Sequence, residues 1–141
     1  MARLIKTDTP AKARHEHMRS CAEVLRLLAQ KSAFDDEAKD MSAFLVFNLR
    51  DIYRIIDESA QVWDERNYWK KSEKLRHDWR WSRLAADQIA KTIIQNRWSE
   101  LPEFLISLVP HFSSISVSTI TRDSDWWCGA HRALQKEQRS G

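Results

Sequence analysis

The feature that most constrains this fold is a repeat of apolar and small residues, spaced alternately by four and three, between residues 38 and 63. At 3.6 residues per turn, this spacing places every member on one face of an α-helix. The repeat continues for more than three heptads, which predicts a long helix with a coiled-coil-like seam. Its members are Ala38, Ser42, Leu45, Leu49, Ile52, Ile56, Ser59 and Trp63.

A second stretch, between residues 68 and 98, has the same helical spacing and predicts another long helix. The small side chains of Ser82, Ala85 and Ala86 would let a neighbouring helix approach it closely. Residues 64–67 separate the two stretches, and such short connections usually join antiparallel helices. The seam of this second helix consists of Tyr68, Ser72, Leu75, Trp79, Ser82, Ala86, Ile89 and Ile93.

Shorter patterns predict the remaining elements. Apolar spacing predicts a helix over residues 11–31, a short helix from about 101 that ends before Pro110, and a last helix over 126–138. Residues 113–121 alternate in the way typical of a strand, but no other segment alternates and could pair with them. We therefore expect them to form either a further helix or an extended segment on the bundle.

The scarcity of turn-forming residues supports a helical fold. The chain has only 2 Gly and 3 Pro, whereas all-β folds need many turns that use both. The sequence therefore predicts an all-α protein, a helical bundle of about four to five helices with two long central helices. A length of 141 residues predicts a single domain over 1–141, with a polar lead-in at 1–10 and a frayed tail at 139–141.

The motifs of several chemistries are missing. With only Gly129 and Gly141, the chain has no glycine-rich loop to cradle a phosphate. Metal sites in helical bundles use Glu-x-x-His, which does not occur here, and Cys128 with His131 offers two ligands where structural zinc needs four. We therefore predict no catalytic residues, no metal ligands and no cofactor, and favour a non-enzymatic protein.

Charge is distributed unevenly along the chain. Residues 1–31 have seven basic and three acidic residues, 32–65 have three basic and nine acidic, and 66–83 have seven basic and two acidic. This pattern predicts an acidic second helix between two basic ones, an arrangement that helps adjacent helices to select each other. On or beside the seam of the helix over residues 38–63, Asn48 and Asp51 are expected to fix the helix register or to line a pocket.

Basic and aromatic residues interleave over 68–83, and a Trp-Trp pair stands at 126–127. Trp, Tyr and Arg commonly anchor protein interfaces, so we expect a protein-interaction or regulatory module that binds a protein partner or forms a homo-oligomer. Trp79 is expected to lie in the core, Trp69 and Trp81 to be exposed, and one of Trp126 and Trp127 to be buried. The candidate partner-binding residues are Trp69, Lys70, Lys71, Lys74, His77, Arg80, Trp81, Trp126 and Trp127.

Two other functions fit parts of the sequence. Alternating cations and aromatic rings can bind phosphates and stack on bases, which suggests a nucleic-acid-binding accessory protein. The residues that would do so are Lys70, Lys71, Lys74, Arg76, Arg80 and Arg83. The seven Trp residues would also suit a bundle that binds a flat apolar ligand or pigment.

The cellular setting follows from what the sequence lacks. No run of about 18 apolar residues could span a membrane, and the first residues lack the apolar core of a signal peptide. Cys21 and Cys128 are far apart and are expected to be free thiols. We therefore expect a cytoplasmic protein without a membrane partner.

Overall fold

The computed structural model of the chain describes residues 9–140, without the side chains of residues 139 and 140. The predicted all-α bundle with two long central helices is confirmed. The described residues contain five α-helices of at least eight residues and one single-turn helix, α5. The helices are α1 (Pro10–Gln30), α2 (Asp36–Glu65), α3 (Trp69–Ile94), α4 (Leu101–Leu108), α5 (Ser124–Trp127) and α6 (Ala130–Ser140), with 3-10 helices at Trp98–Glu100 and Val109–Phe112.

The predicted lead-in and tail are only partly open to comparison. Residues 1–8 and residue 141 lie outside the described residues, so most of the lead-in is not compared. Thr9 caps α1, because its side chain accepts a hydrogen bond from the amide of Lys12 at 3.1 Å, and Pro10 occupies the first helical position. At the other end, α6 continues to Ser140, beyond the point where we expected the tail to fray.

The central element is α2, which packs against α1, α3, α5 and α6. Its predicted seam is buried, except that Ser59 and Trp63 are half-buried. Beside the seam, the buried Asn48 accepts a hydrogen bond from Nδ1 of His17 at 2.8 Å and donates to the carbonyl of Phe44. This bond joins α1 to α2 at one position, as a register-fixing residue would. Asn48 and Asp51 also line a cavity of about 250 Å³ between these helices and Arg122, so the pocket alternative is observed as well.

Two predicted helices extend too far, because a residue in the left-handed conformation ends each helix before the predicted position. We expected the third helix to reach residue 98, but α3 ends at Ile94 and Asn96 has a φ of 57°. We expected one helix over 126–138, but Gly129, with a φ of 82°, separates α5 from α6. Asn and Gly tolerate this conformation better than other residues do, and it stops helix propagation.

Residues 113–123 form no helix: they contain a turn at 113–114 and a bend at 118–119 and are otherwise irregular, so a non-helical segment on the bundle is what is observed. No strand occurs in residues 9–140. Instead, side chains of α1 bind the backbone of the segment: Arg19 donates to the carbonyls of Ser116 and Thr119, and Arg26 donates to that of Val117. The backbone of the segment is therefore held by side chains of a helix rather than by a β-ladder.

A buried carboxylate completes this attachment. Glu23 on α1 is fully buried and accepts hydrogen bonds from the amides of Thr121 and Arg122, at 2.7 and 2.8 Å, and from the Thr121 hydroxyl. Arg19 donates to the same carboxylate at 2.6 Å. Burial raises the pKa of Glu23, but hydrogen bonds from Arg19, Arg122 and Thr121 outweigh this effect and lower it to about 2.

Arg122 is the buried cation of this network. Its guanidinium donates to Ser20 at 3.0 Å and to the carbonyl and carboxylate of Glu16, and it lies 3.8 Å from the carboxylate of Glu23. Only 8% of Arg122 is exposed. Buried ions need such complete pairing, because an unpaired charge in a protein interior is strongly destabilising.

The predicted complementarity of helix charges is present between α2 and α3. Arg76 on α3 bonds Asp57 at 2.8 Å and Asp64 at 3.0 Å, both on α2. Between the first basic segment and α2 this complementarity is present at one end, where Lys31, just after α1, pairs with Asp35 at 3.1 Å and with Glu37 of α2 at 3.0 Å. Further along, Arg19 and Arg26 bind the 113–123 segment instead, and His17 approaches Asp51 to 3.8 Å.

We predict that Glu23→Gln destabilises the protein at neutral pH and that this difference disappears in acid. The pKa of Glu23 is lowered from 4.5 to about 2 on folding, so the carboxylate stabilises the fold fully above pH 4.5 and loses this effect as the pH falls towards 2. The shift corresponds to roughly 3 kcal/mol. Urea unfolding of the wild type and the variant at pH 7 and near pH 2 measures the difference.

The matched control is Glu58→Gln, which removes an exposed ion pair with Arg54 and should change the free energy of unfolding by less than about 1 kcal/mol. The wild type and Glu23→Gln share all their other carboxylates. The effect of acid on those groups is therefore the same in both proteins and cancels when their free energies of unfolding are compared. A Glu23→Gln difference that stays constant between neutral and acid pH would contradict the assignment.

Candidate interaction surface

The turn between α2 and α3 is closed by a Schellman motif. The amide of Tyr68 donates to the carbonyl of Trp63 at 2.9 Å, and the amide of Asn67 donates to that of Asp64 at 2.9 Å. Asn67 adopts a φ of 62°, the left-handed conformation that this motif requires. The motif also brings the rings of Trp63 and Tyr68 together, with their centroids 5.7 Å apart.

Large apolar side chains are exposed at this turn. Trp69 is 63% exposed, Tyr68 is 52% exposed and Val62 is 46% exposed. The predicted exposure of Trp69 is confirmed, whereas placing Tyr68 in the α3 seam was wrong, because Tyr68 precedes the helix and packs on Trp63 from outside. We use the term hairpin end for Val62, Trp63, Tyr68, Trp69, Lys70 and Lys71.

The basic residues of 68–83 do not form one continuous charged face. Arg76 bonds two carboxylates of α2, Lys74 pairs with Asp78 at 3.0 Å, and Arg83 lies over the ring of Tyr53. Lys71 covers the rings of Trp63 and Tyr68, with Nζ 4.6 and 5.9 Å from their centroids. Within the described residues, Lys70 and Arg80 take part in no ion pair, and both are exposed along with His77.

Trp81 does not have the exposure that we predicted. It is half-buried and stacks on His111, with ring centroids 4.0 Å apart and planes 8° from parallel, and its ring also meets Phe112 edge-on. Burial against this ring lowers the pKa of His111. Trp79, which we placed in the core, is half-buried against the core and has the guanidinium of Arg14 over its ring at 5.0 Å.

The Trp126-Trp127 pair divides as predicted. Trp127 is buried and its indole N–H donates to Glu37 at 3.2 Å. Trp126 is 51% exposed, and the guanidinium of Arg122 lies 4.7 Å from its ring centroid. The exposed Trp126 is therefore held in place by the same arginine that anchors the 113–123 segment.

The structure does not bring the two groups of candidate residues together. Trp126 and Trp127 both pack against Phe44, near the start of α2, whereas Trp69 follows the turn beyond Trp63. The 19 residues from Phe44 to Trp63 correspond to roughly 28 Å along the helix at 1.5 Å per residue. The candidates therefore belong to two separate surfaces, and the sequence alone gave no sign of this separation.

Sulfur and imidazole groups form no metal centre in the described part of the chain. Within residues 9–140, no group of three or more His, Cys, Asp or Glu side chains is arranged to hold a metal ion. Cys21 is buried, which raises the pKa of its thiol, and Cys128 is exposed. His131 packs edge-on against Trp98, with ring centroids 5.2 Å apart.

Comparison with known proteins gives no relative on which to base a function. No protein-family model matches the chain, and neither a curated protein nor a solved structure resembles it significantly. None of the helices in residues 9–140 is long and apolar enough to cross a bilayer. A proposal for the function must therefore rest on the geometry of the chain itself.

Sequence reasoning missed three members of the hairpin end, Val62, Trp63 and Tyr68, and placed Trp63 only in the α2 seam. Val62 stands outside the α2 seam and next to Trp63, so adjacent large apolar residues could have indicated that one of them faces outwards. Tyr68 follows Asn67, and an asparagine after a helical pattern indicates a left-handed residue that ends the helix. The same signal at Asn96 would have placed the end of α3.

We predict that the conformation at Asn67 controls the stability of the α2–α3 turn. Glycine adopts the left-handed region freely, so Asn67→Gly should leave the free energy of unfolding unchanged or raise it slightly. The β-branched side chain of Asn67→Val is strained there and should lower it by about 1–2 kcal/mol. Urea unfolding of both variants measures the effect, and equal stability of the two would contradict the assigned turn.

Proposed function

We propose that this chain is a protein-interaction module that binds an acidic surface of a partner protein through the hairpin end. The observation that carries the proposal is the 63% exposure of Trp69 beside Lys70, which is exposed and takes part in no ion pair within residues 9–140. Trp is enriched among the residues that dominate protein interfaces. An exposed Trp flanked by cations suits a partner pocket that is apolar in its centre and acidic at its rim.

Trp69 would contribute a large part of the free energy of binding to the partner. Burying the exposed part of a tryptophan removes on the order of 100 Å² or more of apolar surface from water, which contributes roughly 3 kcal/mol to binding. The backbone of Trp69 is already ordered before binding, because Trp69 is the first residue of α3 and directly follows the Schellman motif. Binding therefore needs to order only its side chain.

The charge of the hairpin end supports the choice of an acidic partner. Residues 66–83 have five more basic than acidic residues, and the cations nearest the turn are Arg66, Lys70 and Lys71. Charges at the rim of an interface act mainly on the rate of association and on the choice of partner. We therefore expect binding to weaken as the salt concentration rises.

The nucleic-acid alternative is less well supported by the same geometry. Of its six proposed cations, Lys74 and Arg76 are paired with carboxylates, and Lys71 and Arg83 lie over aromatic rings. Of the six cations, Lys70 and Arg80 therefore remain available to bind phosphates. A reducing, cytoplasmic setting is part of our proposal, and the free thiols of Cys21 and Cys128 support it.

Site-specific photo-crosslinking tests the proposal. Trp69 is replaced by p-benzoylphenylalanine in the cells that naturally produce the chain, and Leu84, which is 53% exposed on α3, is replaced in the same way as the matched control. We expect one main crosslinked protein from position 69 and none of it from position 84. With that protein purified, Trp69→Ala and Lys70→Glu should each weaken binding about tenfold or more.

Three outcomes would overturn the proposal: no crosslink at position 69, the same crosslinked proteins at both positions, or a crosslink to nucleic acid. The third would favour the nucleic-acid alternative. A crosslinked protein whose affinity is insensitive both to Lys70→Glu and to salt would contradict the acidic nature of the partner surface.

A further inference from the structure

An apolar groove lies on α1, near the opposite end of the bundle from the hairpin end. One wall is a face of α1 with two small residues, Ala22 and Ala29, and the other wall comes from the 3-10 helix and the segment that follows it. The groove has a volume of about 400 Å³. Its lining includes Leu25, Arg26, Val109, Phe112, Ile115 and Val117.

An apolar ridge stands directly beside this groove. Ile106 is 70% exposed and Val109 is 54% exposed, which makes Ile106 the most exposed large hydrophobic residue in the described part of the chain. Val109 belongs both to the ridge and to the lining of the groove, so the two features form one continuous surface. A surface that carries both an apolar ridge and an apolar groove can bind a copy of itself, because the ridge of one copy fits the groove of the other.

We infer that a second copy of this chain binds here, with the ridge of each copy in the groove of the other. A two-fold contact uses the same surface on both subunits, so it requires a projection and a depression on one surface. The small side chains of Ala22 and Ala29 leave room on α1 for Ile106 of the other copy.

Two charged residues on this surface, Arg26 and Glu103, also fit a two-fold contact between copies. Arg26 lines the groove, and Glu103 lies one helical turn before Ile106 on α4. Both are exposed, and within residues 9–140 neither takes part in an ion pair, while one end of the Arg26 guanidinium donates to the carbonyl of Val117. When the ridge of one copy enters the groove of the other, Glu103 comes close to the partner's Arg26, and the two-fold axis produces this pair twice.

The dimer leaves the hairpin end free, and this inference does not rest on the proposed function. Arg14, near the start of α1, reaches Trp79 on α3, whereas the groove begins two turns further along α1 and Trp69 lies ten residues before Trp79. A dimer would therefore present two copies of the hairpin end, and bivalent attachment would raise the apparent affinity for a partner with repeated sites.

Light scattering coupled to size-exclusion chromatography, over a wide range of concentrations, tests the dimer on the full chain. We expect the mass to approach twice 16.7 kDa as the concentration rises. Ile106→Glu should shift the protein to a monomer, and Leu84→Glu, at a 53% exposed position on α3, should leave the dimer intact. Helical circular dichroism confirms that each variant is folded.

Charge reversal tests the orientation of the two copies. Glu103→Arg should weaken the dimer at least about tenfold because it places like charges together twice, whereas Glu103→Gln, which removes the attraction without adding repulsion, should weaken it less. A monomer at every concentration, or a dimer insensitive to Ile106→Glu, would overturn the inference. A dimer as strong in Glu103→Arg as in the wild type would overturn the pairing of Glu103 with Arg26. None of these results bears on crosslinking at position 69.

Discussion

The buried carboxylate of Glu23 is the interaction on which the second half of the bundle depends. It binds the backbone of residues 121 and 122 directly, across almost a hundred residues of sequence, and it neutralises Arg122 beside it. Arg122 in turn holds Trp126, and the neighbouring Trp127 packs against α2. The path of the chain from α4 to α6 therefore depends on Glu23 together with Arg19 and Arg26, and Arg26 holds one wall of the groove on α1 through the carbonyl of Val117.

The unequal lengths of the helices explain where the hairpin end stands. α2 has 30 residues and α1 has 21, and the contact between Arg14 and Trp79 places the start of α1 well short of the turn between α2 and α3. The last turns of α2 and the first turns of α3 pack on each other, with Arg76 bonded to Asp57 and Asp64. This pairing uses one of the cations of the basic-aromatic segment to build the hairpin, and it leaves Trp69 and Lys70 outside for a partner.

The sequence predicted what depends on local periodicity and could not predict what depends on distant contacts. The three-four spacing placed α2 and α3, because their seams repeat within each helix. It could not show that Trp81 would meet His111, nor that Thr121 and Arg122 would find Glu23, because those partners lie 30 and about 100 residues away. The Ser/Thr alternation of residues 113–121 was ambiguous for the same reason. An extended segment is stable only with partners for its backbone, and here these are side chains of α1 rather than another strand.

Hydrogen exchange measured by mass spectrometry tests most directly the claim that Glu23 holds the chain after α4. In the wild type, the amides of Thr121 and Arg122 should be protected although they belong to no helix. In Glu23→Gln, exchange should increase by a larger factor over residues 116–127 than over the central turns of α2 and α3. Unprotected amides at 121 and 122 in the wild type, or an equal increase along the whole chain in the variant, would contradict this account.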